Sequence, residues 1–174
     1  TSFIYNDIRR RKNMEMLRQL SYFDSLTNAY NRNAYFSELE RLEEEGKGTL
    51  GIAYIDVNGL KRVNDTQGHK AGDRLIVSVA DKLFRYLPGG KVYRTGGDEF
   101  IVFCKDISES EFQTMIEHLQ SSWDEQSSAA IGYIWMDKIE QVESKVSAAE
   151  KMMYIGKRKF YERRGMDRRG DARR

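Results

Sequence analysis

Apolar and polar positions follow two periods along the chain, and these predict helices and strands in alternating order. Apolar residues at helical spacing predict helices at 32–45, 73–87, 109–123 and 142–160. Short apolar runs predict strands at 50–55, 91–94, 100–104 and 128–136. The run at 50–55 is almost continuously apolar, which favours a central strand covered on both faces.

A hairpin is predicted between the second and third strands, because the turn that joins them contains the adjacent glycines Gly96 and Gly97. A hairpin joins antiparallel strands, so an all-parallel sheet is excluded. We therefore expect an α/β (α+β) fold in which a mixed central β-sheet is flanked by helices, in a split βαβ or ferredoxin-like arrangement.

The first 22 residues are predicted to form a segment distinct from the rest of the chain. Residues 1–5 are β-prone, and a polar helix follows at 7–20, with a thin apolar stripe of Met14, Leu17 and Leu20. A helix this polar needs a partner or connects two domains. We therefore expect a signalling helix at 1–22 that follows an upstream domain, a main domain at 23–165 and a short tail at 166–174.

Composition excludes several classes of protein. One cysteine in 174 residues excludes an internal disulfide, and two distant histidines disfavour a zinc fold. The sequence contains no apolar run of membrane-spanning length and does not open with the pattern of a signal peptide. The expected location is the cytoplasm, with no membrane segment in this fragment.

The net charge of +2 conceals a basic C-terminal end, since residues 157–174 contain nine lysines and arginines against three acidic residues. This end suits either a solvated helix terminus or contacts to phosphates, nucleic acid or anionic lipid.

Three carboxylates mark a candidate reactive site. Asp56 follows the apolar strand, and Asp98 and Glu99 follow the two glycines of the hairpin turn. If the strands are neighbours, these side chains repel one another unless a cation lies between them. Oxygen-only ligands favour Mg²⁺, which takes substrate phosphate oxygens as further ligands. The alternatives are an exposed polar hairpin and an aspartate that caps a strand end.

The segment between the first strand and the helix at 73–87 is predicted to be a loop rich in Asn, Asp and Gly. Asp73 suits the N-cap of that helix. Alternatively, Asn64 and Asp73 recognise a guanine edge, because an amide oxygen and a carboxylate both accept from ring N–H groups. Lys61 and Lys157 are candidate phosphate contacts, although most lysines are only solvated.

The motif at 96–100, Gly-Gly-Asp-Glu-Phe, resembles the signature of the GGDEF family of diguanylate cyclases. The segments 24–32 and 56–65 also resemble family motifs, with Asn58 where an aspartate is common. The pairs Gly68-His69 and Gly72-Asp73 follow at family spacing, and the resemblance spans about 22–161. Residues 3–8 resemble the end of a PAS sensor domain, which implies an upstream sensor.

The resemblance implies a nucleotide-cyclase, palm-like architecture and the condensation of two GTP into cyclic di-GMP and two pyrophosphates by a homodimer. By matching position, Asp56, the Val57 carbonyl, Asp98 and Glu99 bind Mg²⁺, with Mn²⁺ as a second candidate. Asp98 helps to deprotonate the attacking 3′-hydroxyl, and Glu99 assists.

The resemblance also implies a GTP site. Its members in chain order are Lys61, Asn64, Asp73, Gly96, Gly97 and Lys157. The amide and carboxylate contact guanine, the glycines let the α- and β-phosphates lie against the backbone, and the lysines neutralise the outer phosphates.

Two further departures from the family pattern qualify these expectations. Residues 87–90 lack the Arg-x-x-Asp charges of a product-inhibition site, so none is expected there, and Tyr161 stands where an arginine is common. The alternative functions are a degenerate module that binds GTP or a protein partner as a relay, and a nucleic-acid binder that uses the basic end. Nucleic acid is disfavoured as a partner because the acidic turn repels a phosphate backbone.

Overall fold

The computed structural model describes the backbone of residues 2–163 and 165, and the predicted tail at 166–174 lies outside those residues. Six helices and four strands follow one another in this part of the chain. They are α1 (Ser2–Tyr22), α2 (Arg32–Glu45), β1 (Leu50–Val57), α3 (Leu60–Gln67), α4 (His69–Tyr86), β2 (Lys91–Arg94), β3 (Glu99–Lys105), α5 (Glu109–Ser121), β4 (Ala129–Met136) and α6 (Val142–Arg163).

The four strands form one sheet in the order β2-β3-β1-β4, and each strand runs antiparallel to its neighbours. Within the described residues, the parallel pairing is limited to an isolated bridge between Tyr30 and Tyr93. The predicted fold class, a central sheet flanked by helices with a β2–β3 hairpin, is confirmed. The sequence predicted a mixed sheet, whereas in the structure the regular strands all pair antiparallel.

Strand β1 lies in the centre of the sheet and is buried at every position, which confirms the interpretation of its apolar run. Successive side chains alternate between faces. Ile52 and Tyr54 belong to the core that the sheet shares with α2 and α6. Ala53, Ile55 and Val57 belong to the opposite core, beneath α4 and α5. The side chain of Asp56 is therefore expected on the α6 face.

Helix α6 approaches the sheet very closely at Gly132 of β4. A Cβ atom at Gly132 would lie 1.9 Å from the carbonyl oxygen of Ala149 and 2.4 Å from the amide nitrogen of Met153. Both atoms belong to the α6 backbone, so a side chain there would force the helix away from the sheet. Since Gly132 pairs with Tyr54, the close approach lies two residue pairs from Asp56.

The expected β-prone start of the chain is wrong, because Ser2–Tyr22 forms one continuous helix. An extended segment needs another strand to satisfy its backbone hydrogen bonds, whereas a helix satisfies them within itself. Among the described residues, no strand pairs with this segment. The charged run at 9–12 continues the helix without a break.

The loop predicted between β1 and residue 73 is also wrong, because it contains α3 and the first turn of α4. Leu60 and Val63 pack against the core beneath α4, and this packing stabilises a helix that local composition does not favour. Gly68, at φ 88°, separates the two helices. Asp73 therefore lies inside α4 and is not its N-cap.

Two glycine substitutions test the packing of α6 on the sheet. Gly132→Ala is expected to destabilise the domain by about 1–3 kcal/mol, because it overpacks the contact with the α6 backbone. Gly156→Ala is the matched control on the facing helix, where a Cβ atom would lie an ordinary 3.9 Å from the Ile131 carbonyl oxygen. It is expected to raise stability by up to about 1 kcal/mol through helix propensity. Urea unfolding measures both, and equal effects would contradict the close approach.

Candidate active site

The end of β1 and the β2–β3 turn bring the three predicted carboxylates to one edge of the sheet. Asp56 pairs directly with Glu99 in the register of β1 and β3. The next residue, Val57, donates its backbone N–H to the carbonyl oxygen of Asp98 at 2.9 Å. The negative charges of Asp98 and Glu99 reach Asp56, where both raise its pKa. The predicted convergence of these residues is therefore present in the fold.

Asp56 is a buried carboxylate, with 7% of the residue exposed. Burial raises its pKa, the neighbouring Asp98 and Glu99 charges raise it further, and Lys157 opposes both effects, so that the pKa of Asp56 is about 6. The Lys157 ammonium donates a short hydrogen bond to Asp56 Oδ1. Lys157, a candidate phosphate contact from the sequence, thus contacts the predicted metal ligand in this structure.

The position of Lys157 follows from the packing of α6. The close approach at Gly132 holds α6 across β1, and Lys157 lies one turn beyond Met153, a buried residue at that contact. One turn further on, the Tyr161 hydroxyl accepts a hydrogen bond from the backbone N–H of Gly59 at 3.4 Å. The last turns of α6 therefore contact both the end of β1 and the turn that follows it.

The hairpin turn is held by Arg94, which sequence reasoning did not assign to the site. Its Nη2 donates to the carbonyl oxygen of Gly97 at 2.8 Å, and its Nη1 donates to both carboxylate oxygens of Asp24 at 3.1 and 3.2 Å. Thr27 donates its backbone N–H and hydroxyl to the same carboxylate. The motif at 24–32 was the available signal, and its role here is to anchor the turn.

Tyr54 is a second residue near Glu99 that sequence reasoning missed. Burial raises the pKa of Tyr54 well above its usual value, and the charges of Glu99, Glu150 and Asp56 add to this effect. The phenol therefore remains protonated beside these carboxylates. Glu99 Oε2 also lies over Gly96, where a Cβ atom would be 2.7 Å from it.

The predicted guanine contacts lie on α3 and α4. Asn64 rests against Gly72, since a Cβ atom at Gly72 would lie 1.8 Å from Asn64 Oδ1. Asp73 follows Gly72 directly and is exposed, so both predicted guanine contacts lie near one another at the junction of the two helices. Lys61 on α3 and Gly97 in the hairpin turn are also exposed.

The residues present suit a divalent cation in chemistry but not in their present arrangement. Carboxylate and carbonyl oxygens at the end of β1 are the ligands that Mg²⁺ and Mn²⁺ take. Across residues 2–163 and 165, however, no group of three or more His, Cys, Asp or Glu side chains is arranged to hold a metal ion. A cationic ammonium already contacts Asp56 Oδ1, so a metal ion at the same carboxylate would lie close to Lys157 and be repelled by it.

Comparison with known proteins identifies the family of this chain. The family model for "Diguanylate cyclase, GGDEF domain" matches residues 21–163. The chain belongs to this family. The matched range includes the Gly-Gly-Asp-Glu-Phe turn at 96–100 and the end of β1 at 56–57.

Two curated relatives and one solved structure place this GGDEF domain among its neighbours. Diguanylate cyclase DgcN of Escherichia coli is 37% identical over 114 residues, which cover 62% of this chain and 27% of that protein. An uncharacterized membrane protein of Staphylococcus saprophyticus is 27% identical over 153 residues, covering 80% of this chain and 43% of that protein. The coiled-coil and GGDEF structure of DgcB from Caulobacter crescentus, in complex with c-di-GMP, has a TM-score of 0.77 at 27% identity and covers 90% of this chain and 91% of that one.

The chain spans less than half the length of these two curated relatives. None of the helices described for residues 2–163 combines the length and the apolar character that crossing a bilayer requires.

Asp24→Asn tests the anchor of the hairpin turn. Burial raises the pKa of Asp24, but hydrogen bonds from Thr27 and the hydrogen bond and charge of Arg94 lower it below its usual 3.8. The ionised form therefore stabilises the fold above that pH, and the contribution is lost as the pH falls through the lowered value. Removing the charge is expected to cost about 1–3 kcal/mol at pH 7 and less near pH 3.

The measurement for this variant is urea unfolding at both pH values. Asp81→Asn, on the exposed surface of α4, is the control and is expected to leave stability unchanged. A loss in Asp24→Asn that stays constant with pH would contradict the role of the ionised carboxylate.

Proposed function

We propose that this GGDEF domain is a diguanylate cyclase that condenses two GTP into cyclic di-GMP and releases two pyrophosphates. The observation that carries the proposal is the pairing of Asp56 with Glu99 beside the hairpin turn, with Asp98 bonded through its carbonyl oxygen to Val57. The family and the relative DgcN support a cyclase of this type.

A divalent ion at this edge, Mg²⁺ or Mn²⁺, would lower the negative charge on the reacting phosphate oxygens. Asp56, the Val57 carbonyl, Asp98 and Glu99 are the proposed ligands. Arg94 holds the turn that carries Asp98. This contact limits the movement of the turn before substrate binds, which is how a preorganised site stabilises developing charge.

In the proposed reaction, the 3′-hydroxyl oxygen of one GTP attacks the α-phosphorus of the other, and the bond to pyrophosphate breaks. The hydroxyl proton passes to Asp98, assisted by Glu99. In a second condensation the two nucleotides exchange roles: the remaining 3′-hydroxyl attacks the remaining α-phosphorus, which closes the ring and releases the second pyrophosphate. Catalysis of this kind rests mainly on positioning and charge stabilisation.

Recognition of the base is assigned to Asn64 and Asp73, which accept hydrogen bonds from the N–H groups of guanine. Adenine presents different donors and would leave these acceptors unpaired, so GTP is the proposed substrate. Gly97 is exposed and Gly96 is partly exposed, so the α- and β-phosphates can approach the backbone of this turn. Lys61 and Lys157 are assigned to the outer phosphates.

Each half of the reaction needs one GTP from each of two domains, so the proposed active unit is a homodimer. We assign α1 the role of a signalling helix that connects this domain to an upstream sensor, with 23–165 as the catalytic domain and 166–174 as a basic tail. Proposed partners are GTP, a second copy of the chain and that sensor, and the proposed location is the cytoplasm.

The direct test is product formation. The purified chain, over a range of protein concentrations, is incubated with Mg²⁺ and either GTP or ATP, and products are identified by mass. Cyclic di-GMP is expected from GTP alone, in an amount that rises faster than linearly with protein because two domains must meet. Asp98→Ala is expected to lower the rate at least about 100-fold through loss of the base.

Asp81→Asn serves as the control variant and is expected to keep the wild-type rate, since Asp81 is exposed on α4, outside the proposed site. Cyclic di-GMP formation that survives in Asp98→Ala would contradict the assigned base. Absence of product at every protein concentration would favour the second candidate function.

That second candidate is a catalytically weak module that binds GTP or a protein partner as a relay. Two observations favour it: Asp56 is already paired with Lys157, and the described carboxylates are not arranged around a metal site. If no product forms, calorimetric titration of the same sample with GTP and Mg²⁺ tests the GTP-binding form of this second candidate, because a GTP-binding relay would bind the nucleotide without converting it.

Feedback inhibition at 87–90 is expected to be absent. Leu87 is fully buried, and a Cβ atom at Gly90 would lie 2.9 Å from Val102 Cγ1 and 3.0 Å from Cys104 Sγ. Neither position has room for a charged side chain that reaches a ligand. Cyclic di-GMP is therefore not expected to bind at 87–90, and adding it is expected to leave the initial rate of GTP conversion unchanged. Inhibition accompanied by NMR shifts confined to 87–90 would contradict this prediction.

A further inference from the structure

The ion pair between Lys157 and Asp56 is almost withdrawn from solvent. The side chains are 15% and 10% exposed, respectively. A pair in such surroundings is screened little by water or salt, and removing one partner leaves an uncompensated buried charge. Asp56 therefore requires a cation at this position whenever it is ionised.

Two further carboxylates increase this requirement. Glu99 lies directly opposite Asp56 in the sheet, and the charges of Asp98 and Glu99 both act on it. In the described structure the ammonium of Lys157 compensates this negative charge by donating to Asp56 Oδ1. A metal ion at the same carboxylate would lie close to the ammonium, and two cations there repel each other.

Lys157 is presented to Asp56 by a helix that is fixed on both sides of it. The α6 backbone lies against Gly132 before Lys157, and Tyr161 contacts Gly59 after it. The four-carbon stem of a lysine nevertheless allows its ammonium to move to a new partner without moving the helix. The triphosphate of a nucleotide bound beside the turn would offer such a partner.

We propose that Lys157 is an internal substitute for the divalent cation at Asp56, and that the triphosphate of the nucleotide releases Asp56 to the metal by attracting the ammonium. In the protein without nucleotide, the metal must compete with Lys157 and binds weakly. Metal and nucleotide then bind as a coupled pair. The nucleotide part of this inference rests on the proposed function, whereas the competition at Asp56 does not.

The test is Mn²⁺ binding to the nucleotide-free domain, measured by the electron paramagnetic resonance signal of free Mn²⁺. Lys157→Met removes the ammonium and keeps an unbranched apolar stem, and it is expected to bind Mn²⁺ at least about tenfold more tightly than the wild type. Lys151→Met is the control, because Lys151 is exposed on the same helix and does not contact Asp56 in the structure. This substitution removes the same positive charge at a different position. It is expected to bind Mn²⁺ like the wild type.

Asp56→Asn, and Asp56→Asn combined with Lys157→Met, locate the effect. Both variants are expected to lose the tight Mn²⁺ site, and circular dichroism with thermal unfolding shows which proteins remain folded. In a second titration with a non-hydrolysable GTP analogue, the factor by which nucleotide tightens Mn²⁺ binding is expected to be about tenfold smaller in Lys157→Met than in the wild type. Direct chelation by the phosphates is common to both proteins and cancels in this comparison.

Equal nucleotide-free Mn²⁺ affinity in the wild type and folded Lys157→Met would overturn the inference, even if the domain makes cyclic di-GMP. An equal gain in Lys151→Met would also overturn it, because the effect would then reflect net charge alone. Conversely, a gain confined to Lys157→Met in a domain that forms no product would support the ion-pair competition and count against the proposed cyclase. Failure of the ion-pair competition and failure of the proposed cyclase activity therefore give different experimental results.

Discussion

A buried carboxylate at the end of the central strand sets the constraint on which the candidate site depends. Taking Asp56 out of water is costly unless a cation and hydrogen bonds compensate its charge. Asp98 and Glu99 increase that cost, and Lys157 offsets it. A site of this kind is expected to hold one cation at all times, either the ammonium of the protein or a metal ion brought by substrate.

Helix α6 makes this exchange possible because of where it lies. It crosses the sheet at Gly132 with its backbone almost in contact with β4, so Lys157 reaches a carboxylate 101 residues earlier in the chain. On the other side of the site, Arg94 joins the hairpin turn to Asp24. The ligands of the proposed metal are therefore held from two directions, by a helix that can exchange its contact and by a turn that is firmly anchored.

Local sequence patterns predicted much of the fold where local and tertiary forces agree. The apolar run of β1 and the two-glycine turn were both confirmed, because each is decided by nearby residues. Helix α3 was missed since its stability comes from packing Leu60 and Val63 on the core. The N-cap role of Asp73 was wrong for the same reason, as the helix extends back to His69.

The sequence by itself determined which chemical groups are present and the local elements that carry them: three carboxylates at the end of a buried strand and beside a hairpin turn, an amide and a carboxylate suited to guanine, and a lysine on the last helix. Tertiary structure alone decided that Glu99 pairs with Asp56, that Arg94 links the turn to Asp24, and that Lys157 contacts the Asp56 carboxylate. The physical reason is that strand register and helix placement depend on how both cores pack at once, and no local pattern records contacts between residues so far apart in the chain.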